Sequence, residues 1–228
     1  MCGRFTVTGA HDIAREFQAE LDGGTFQPRF NVAPTQRSYC LRVRAGRRVI
    51  QRLHWGFWGP KGLVINARSE RAPASLMFAD SFFQRRCGVV TDGFIEWSGR
   101  AGSREPYWLR RPDKRPVLLA GLWRRDVDPN TTEARDSFVV VTTAANDLVA
   151  TIHDRMPAVL RDDDVETWLR PAPSDPRERP AFIAMLSRTL RPADERVLSM
   201  HPISTRINGA AVDDPGCLEP RAEQQRLF

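Results

Sequence analysis

The chain has 228 residues and carries 34 basic against 28 acidic side chains, a formal net charge of +6. A hydrophobic content of 41% supports a packed core and argues against a disordered chain. No apolar run approaches the ~20 residues of a membrane span and the N-terminus has no apolar signal core, so we expect a cytoplasmic protein with no membrane partner.

In chain order, Met1-Cys2-Gly3-Arg4-Phe5 opens an extended stretch. Residues 11–20 predict a short amphipathic helix with Ile13, Phe17 and Leu21 on one face, ended by Gly23-Gly24. Residues 30–35 are extended and held by Pro34. Residues 38–54 predict a hairpin around Ala45-Gly46. Trp55-Gly56-Phe57-Trp58-Gly59-Pro60 reads as an aromatic, glycine-punctuated loop. Leu63 to Ile65 form a short strand leading into Asn66-Ala67-Arg68-Ser69-Glu70, which reads as a helix entrance in its blandest form. Residues 75–86 predict a helix with Leu76, Phe78, Phe82 and Phe83 inside. Strands follow at 87–91 and 94–97, split at Asp92-Gly93, and at 106–111 and 117–123. Residues 124–136 read as a polar loop and 137–143 as a core strand.

A short helix near 146–152 delivers His153-Asp154-Arg155-Met156-Pro157. Asp162 to Asp164 are placed to cap a helix ending at Leu169-Arg170. A hinge with Pro171, Pro173 and Pro176 precedes a helix at 181–190, then a strand at 195–203. A single domain over residues 1–220 is expected, followed by a polar tail from 221 to 228. The pattern is α+β: largely antiparallel β-sheets curled into a barrel-like core, with short peripheral helices.

The four cysteines, Cys2, Cys40, Cys87 and Cys217, form no C-x-x-C pair, so neither a structural zinc nor a disulfide framework is expected. Cys40 and Cys87 sit in apolar strands and read as inert thiols. Cys2 differs. With Met1 removed, it would carry a free α-amine and a thiol on adjacent carbons. The amine titrates at about 7.7–8.0, against about 10.4 for lysine, so it is an effective nucleophile at neutral pH. An amine beside a thiol suits an aldehyde: the amine condenses to an imine and the thiol closes a thiazolidine. The bland alternative is that Cys2 is residue two of a strand.

The basic residues comprise 32 arginines and two lysines, Lys61 and Lys114. Arginine favours phosphate forks and base stacking, so a polyanionic partner is suggested. Glu96 follows Phe94 and Ile95; buried there, its proton affinity would rise and suit acid/base work. His153 sits in the dense run His153 to Pro157. Trp55 and Trp58 are core residues in the bland reading and base-stacking platforms in the sharp one.

Several short segments occur together in a distinctive order: Met1 to Arg4, Asn31-Val32-Ala33-Pro34, Trp55-Gly56, Asn66 to Glu70, Gly93-Phe94-Ile95-Glu96-Trp97, Ala120-Gly121-Leu122-Trp123, His153 to Pro157, and Ser204-Thr205-Arg206-Ile207-Asn208. In this the chain resembles the SRAP family of abasic-site processing proteins over about residues 1–220. It departs at Ile95, where the family commonly has tyrosine, and at Arg71, where threonine is common.

The resemblance implies covalent capture of abasic sites in single-stranded DNA through Cys2. It implies proton relay by Glu96, acid/base assistance at the sugar by His153, and positioning by Asn66. Arg4, Asn31, Pro34, Trp55, Phe57, Arg68 and Arg155 would contact DNA. No cofactor or metal is implied, weak lyase and self-processing activity are possible in principle, and the expected state is a monomer. Two other readings stay open: an N-terminal-nucleophile cysteine amidohydrolase, and a non-covalent single-strand binding module.

Overall fold

The computed structural model describes residues 2–9, 13–99 and 103–221. Its strands in the first half are β1 (Arg4–Val7), β2 (Glu20–Leu21), β3 (Arg29–Val32), β4 (Arg37–Arg44), β5 (Arg47–Trp55), β6 (Phe57–Gly59), β7 (Gly62–Val64) and β8 (Asn66–Arg68). Those in the second half are β9 (Arg86–Thr91), β10 (Gly93–Ser98), β11 (Glu105–Arg110), β12 (Val117–Val127), β13 (Ala134–Ala144), β14 (Arg155–Pro157), β15 (Val159–Leu160) and β16 (Ser199–Pro202). Short helices lie between them: α1 (Ile13–Glu16), α2 (Ala79–Gln84), α3 (Asp147–Ala150), α4 (Asp162–Leu169) and α5 (Arg179–Arg188).

Strands β4, β5, β13, β12 and β9 close into a five-stranded barrel, so the expected barrel-like α+β core is present. Four of its seams are antiparallel. The fifth is the parallel pairing of β13 with β5 at Ser137↔His54 and Phe138↔Trp55. Closure removes the open edges that runs such as Ser137 to Thr143 would otherwise present. The interior is filled by Cys40, Leu53, Trp55, Val89, Leu119, Phe138 and Val140, which the registers set on one face, none more than 1% exposed.

A second sheet, in the order β16-β11-β10-β1-β3, packs on the barrel. Its row Phe5↔Phe94↔Leu109 joins the barrel core, with Phe5 centred 4.9 Å from Trp55. Ile95, Trp97 and Trp108 instead pack with Ile203, Ile207 and Cys217 from the C-terminal segment.

Most elements fall where the sequence predicts them, with informative exceptions. The hairpin at 38–54 forms as β4–β5, paired from Arg37↔His54 to Arg44↔Arg47. The aromatic loop is instead partly a small hairpin, β6–β7. Gly56 turns the chain into it at φ +121°, where a Cβ would lie 2.6 Å from Leu63. The helix at 75–86 shortens to α2, and Leu76 stands fully exposed in the preceding turn rather than inside.

The supposed polar loop 124–136 is mostly strand, paired down to Val127↔Ala134. Its charges form cross-strand pairs rather than a loop surface, with Arg125 bound to Asp136 and Arg135 to Asp128. Asn66 to Arg68 form a strand parallel to β13, not a helix entrance. Asp162 to Asp164 occupy the first turn of α4, with Arg161 at the cap, so they act on the helix dipole rather than as the cap. Within 195–203 only Ser199–Pro202 is strand, after a 3-10 turn at Glu195–Val197.

Candidate active site

The start of the chain is strapped into the middle of the second sheet. Asp92, between β9 and β10, accepts hydrogen bonds from the hydroxyls of Thr6 and Thr8 and from the backbone N–H groups of Thr8 and Gly9. Thr91 Oγ1 donates to the Thr6 carbonyl at 2.8 Å. Gly93 allows close approach of the neighbouring strand: a Cβ there would lie 2.1 Å from Trp108 Nε1 and 2.9 Å from the Leu109 carbonyl. These contacts lock the register Arg4↔Ile95. Continued by one pair, it sets Gly3 level with Glu96, so Cys2 emerges beside that carboxyl.

Cys2 is wholly buried. Asn66 Nδ2 donates to the Cys2 carbonyl at 2.9 Å, so β8 fixes the position of the residue that bears the thiol. Burial, reinforced by the nearby Glu96 charge, pushes the Cys2 thiol well above its ordinary range. The sulfur therefore holds its proton, and Sγ points to the Arg4 carbonyl at 3.7 Å. Glu96 is 2% exposed. Burial pushes its carboxyl up to about 7, with the Asp154 charge adding to the effect, so at neutral pH it is poised between acid and base.

His153 arrives from the end of α3, where its N–H bonds the Val149 carbonyl at 2.8 Å. Asn146 caps that helix, accepting the Val149 N–H at 2.9 Å. Two groups approach His153 Nδ1: the Arg155 backbone N–H at 2.9 Å and Asp154 Oδ1 at 3.0 Å. One nitrogen cannot accept from the first and donate to the second. Burial lowers the ring's pKa, which favours the neutral ring, the bond from Arg155, and a proton on Nε2.

The arginines divide by environment. Half-buried Arg4 lies 5.9 Å from the Trp97 ring centre. With Trp97, Ser103, Arg104, Glu105, Thr205, Asn208 and Arg221 it lines a cleft of about 660 Å³. Trp97 is steadied there by its Nε1 bond to Asn208 Oδ1, 2.8 Å. Arg68 is exposed, one strand over from Thr142. Arg155 is engaged within the protein, bound to both Glu70 oxygens at 2.6 and 3.0 Å and to the Thr142 carbonyl at 2.6 Å.

The structure thus brings Cys2, Asn66 and Glu96 together, and carries His153 and Arg155 on the turn whose Asp154 acts on Glu96. It does not bring Asn31, Trp55 or Phe57 to a DNA-facing surface, because all three are fully enclosed. Asn31 Nδ2 serves the carbonyls of Ile207, Gly209 and Val212. Trp55 stacks on Phe138 and donates to the Ile65 carbonyl. Phe57 lies under the Arg124 guanidinium at 4.4 Å. Pro34 is half-buried at the end of β3. Sequence reasoning missed Trp97 as a cleft wall and Arg104 and Arg221 as its basic rim. For Trp97 a signal existed: strand alternation turns it away from the face of Glu96.

Among the described residues no helix is long and apolar enough to cross a membrane, and no cluster of three or more His, Cys, Asp or Glu is set to hold a metal. The family model for "SOS response associated peptidase (SRAP)" matches residues 1–210. The abasic site processing protein YoqW of Bacillus subtilis is 28% identical over 232 residues, covering 96% of this chain and 99% of the relative. The abasic site processing protein YedK of Escherichia coli is 28% identical over 182 residues, covering 75% of this chain and 80% of the relative. A solved structure of a protein from Bacteroides thetaiotaomicron superposes with a TM-score of 0.79 at 21% identity, covering 96% of this chain and all of that one.

Proposed function

The chain belongs to the SRAP family, and from that premise we propose that it captures abasic sites in single-stranded DNA through a covalent bond to Cys2. The observation that carries this reading is the convergence on Cys2 of Asn66, bonded to its carbonyl at 2.9 Å, and of Glu96, whose carboxyl burial holds at about 7. The relatives' names, abasic site processing proteins, agree with it.

The chemistry follows from these states. Removal of Met1 frees the Cys2 α-amine. The ring-opened sugar presents an aldehyde at C1′. The amine attacks C1′, and Glu96 carries its two protons in turn to the former carbonyl oxygen, first giving the carbinolamine hydroxyl and then releasing it as water, so one water leaves and an imine remains. The thiol then adds across the C=N bond, sulfur to carbon and its proton to nitrogen, closing a thiazolidine. A thiol that keeps its proton does not compete with the amine for the aldehyde, and it carries the proton needed for the second step. His153, protonated at Nε2, donates a hydrogen bond to the sugar ring oxygen as the ring opens. An acid/base group of this kind contributes roughly 10²–10⁴ in rate. The imine also opens a route to β-elimination, hence weak lyase activity.

The single strand would run along the cleft between Arg4, Trp97, Arg104 and Arg221, stacking a base on Trp97 while arginines meet phosphates.

The test is a denaturing gel with a single-stranded oligonucleotide bearing one abasic site. A shifted band is expected for the wild-type protein and absent for Cys2→Ala and for a form extended at the N-terminus. No band from protein shown by mass spectrometry to lack Met1 would end the proposal.

A further inference from the structure

Glu70 has no role in the chemistry above, yet it occupies the guanidinium of Arg155. Both of its oxygens are bonded, at 2.6 and 3.0 Å, and Arg155 adds a third bond to the Thr142 carbonyl at 2.6 Å. The pair is ionised, because the Arg155 fork holds the Glu70 carboxyl below its usual range. The two partners differ in exposure. Arg155 is 12% exposed and set against β13, while Glu70 is 52% exposed at the surface.

A phosphate takes an arginine through the same two parallel N–H bonds that a carboxylate uses. In Arg155, NH1 and NH2 are both turned to Glu70, NH2 also serves Thr142, and Nε is buried away from any partner. The fork is therefore closed to phosphate until Glu70 leaves. Glu70, half exposed and held otherwise, among the described residues, only by its own backbone N–H and by Ser69, can swing into water, and Arg155, tied to Thr142, cannot.

We propose that Glu70 is an internal stand-in for a DNA phosphate: it neutralises Arg155 in the free protein and must be displaced before that arginine binds the strand. This rests on the reading of the site as one for single-stranded DNA. Exchanging one anion for another at Arg155 yields little net binding energy and releases little net counterion. Glu70 thus holds down affinity for undamaged strand and leaves retention to the covalent step at Cys2. It is a specificity-determining residue.

The experiment measures binding of full-length wild-type, Glu70→Gln, Arg155→Gln and doubly substituted protein. The probe is a fluorescent single strand carrying a tetrahydrofuran abasic analogue, which has no aldehyde to crosslink. Anisotropy is followed from low to moderate NaCl, with thermal melts to verify folding. Glu70→Gln is expected to bind several-fold tighter, with a slope of log K on log salt steeper by about 0.7, the value for one added single-strand phosphate contact. In the Arg155→Gln background the same change should leave the slope unmoved.

Unchanged or weaker binding by Glu70→Gln overturns the inference. So does an equal slope change without Arg155, which would mark a general charge effect. Wild-type protein that crosslinks abasic DNA while Glu70→Gln behaves as wild type sinks this inference alone. Wild-type protein that neither binds nor crosslinks the strand removes the proposed function and this inference together.

Discussion

Glu96 shows how one buried side chain links chemistry to stability. A carboxyl held at about 7 rather than an ordinary 4.5 costs the fold about 3 kcal/mol when ionised. Because the folded value is the raised one, the protonated form is favoured: stability is fully present below pH 4.5 and is lost as pH rises through about 7. Glu96→Gln keeps the shape and removes the charge. Urea unfolding should show it equal to wild type below pH 4.5 and more stable by about 3 kcal/mol above pH 7.5, with crosslinking lost. A stability difference that stays flat across that range would contradict the burial argument. At this scale Cys2, Asn66, Glu96 and His153 stand out in the sequence because each is a polar group in a run where the fold alone gives it little reason to be, and the structure sets the first three together. Asn31 stands out in the same way, and the structure encloses it. A buried amide serving three carbonyls and an amide facing DNA have identical sequence signatures until the carbonyls are placed.

Among the elements, β9 carries an unusual fastening. Arg86, 6% exposed, meets no carboxylate. Its guanidinium bonds the carbonyls of Phe82 and Phe83 at the end of α2 and those of Trp168 and Arg170 at the end of α4. Helix C-termini present partial negative charge, and two of them together hold a cation whose pKa burial has drawn down to about 10. Arg86→Met should strand those carbonyls and cost at least about 3 kcal/mol, read from chemical denaturation. Arg86→Lys should recover only part, since a single ammonium cannot reach both helix ends. Loss below 1 kcal/mol in Arg86→Met would refute this account. Strand positions were readable from β-branched runs, whereas residues 124–136 were not, because a ladder of opposed charges and a solvated loop have the same composition. The parallel seam joining β13 to β5 was illegible for a different reason: it is made by backbone groups across more than 80 residues of chain, and no side-chain period reports it.

At the scale of the molecule, the C-terminal segment acts as a clamp on the second sheet. Asp213 accepts the N–H groups of Phe30 and Asn31 at 2.6 and 2.8 Å and pairs with Arg29, while Asn31 holds three carbonyls of the same segment. Trp97, Thr205 and Asn208 then face one cleft. Asn31→Ala should weaken DNA binding without touching DNA, by loosening residues 205–212 and with them the wall of that cleft. Hydrogen exchange should rise in that segment while the barrel stays protected. Weakened binding with unchanged exchange would instead return Asn31 to the DNA surface.

The placement of β1 also orders events in time. It lies between β3 and β10, so it can pair with β3 early, while its other edge stays open until Gly93 to Ile95 have been synthesised. At ~5–20 residues per second, that delay is on the order of 5–20 s. Throughout it β1 is held along one edge only. When Asp92 meets Thr6, Thr8 and Gly9, both edges are fixed together, so the strand that carries Arg4 and Phe5 gains its final place late in synthesis.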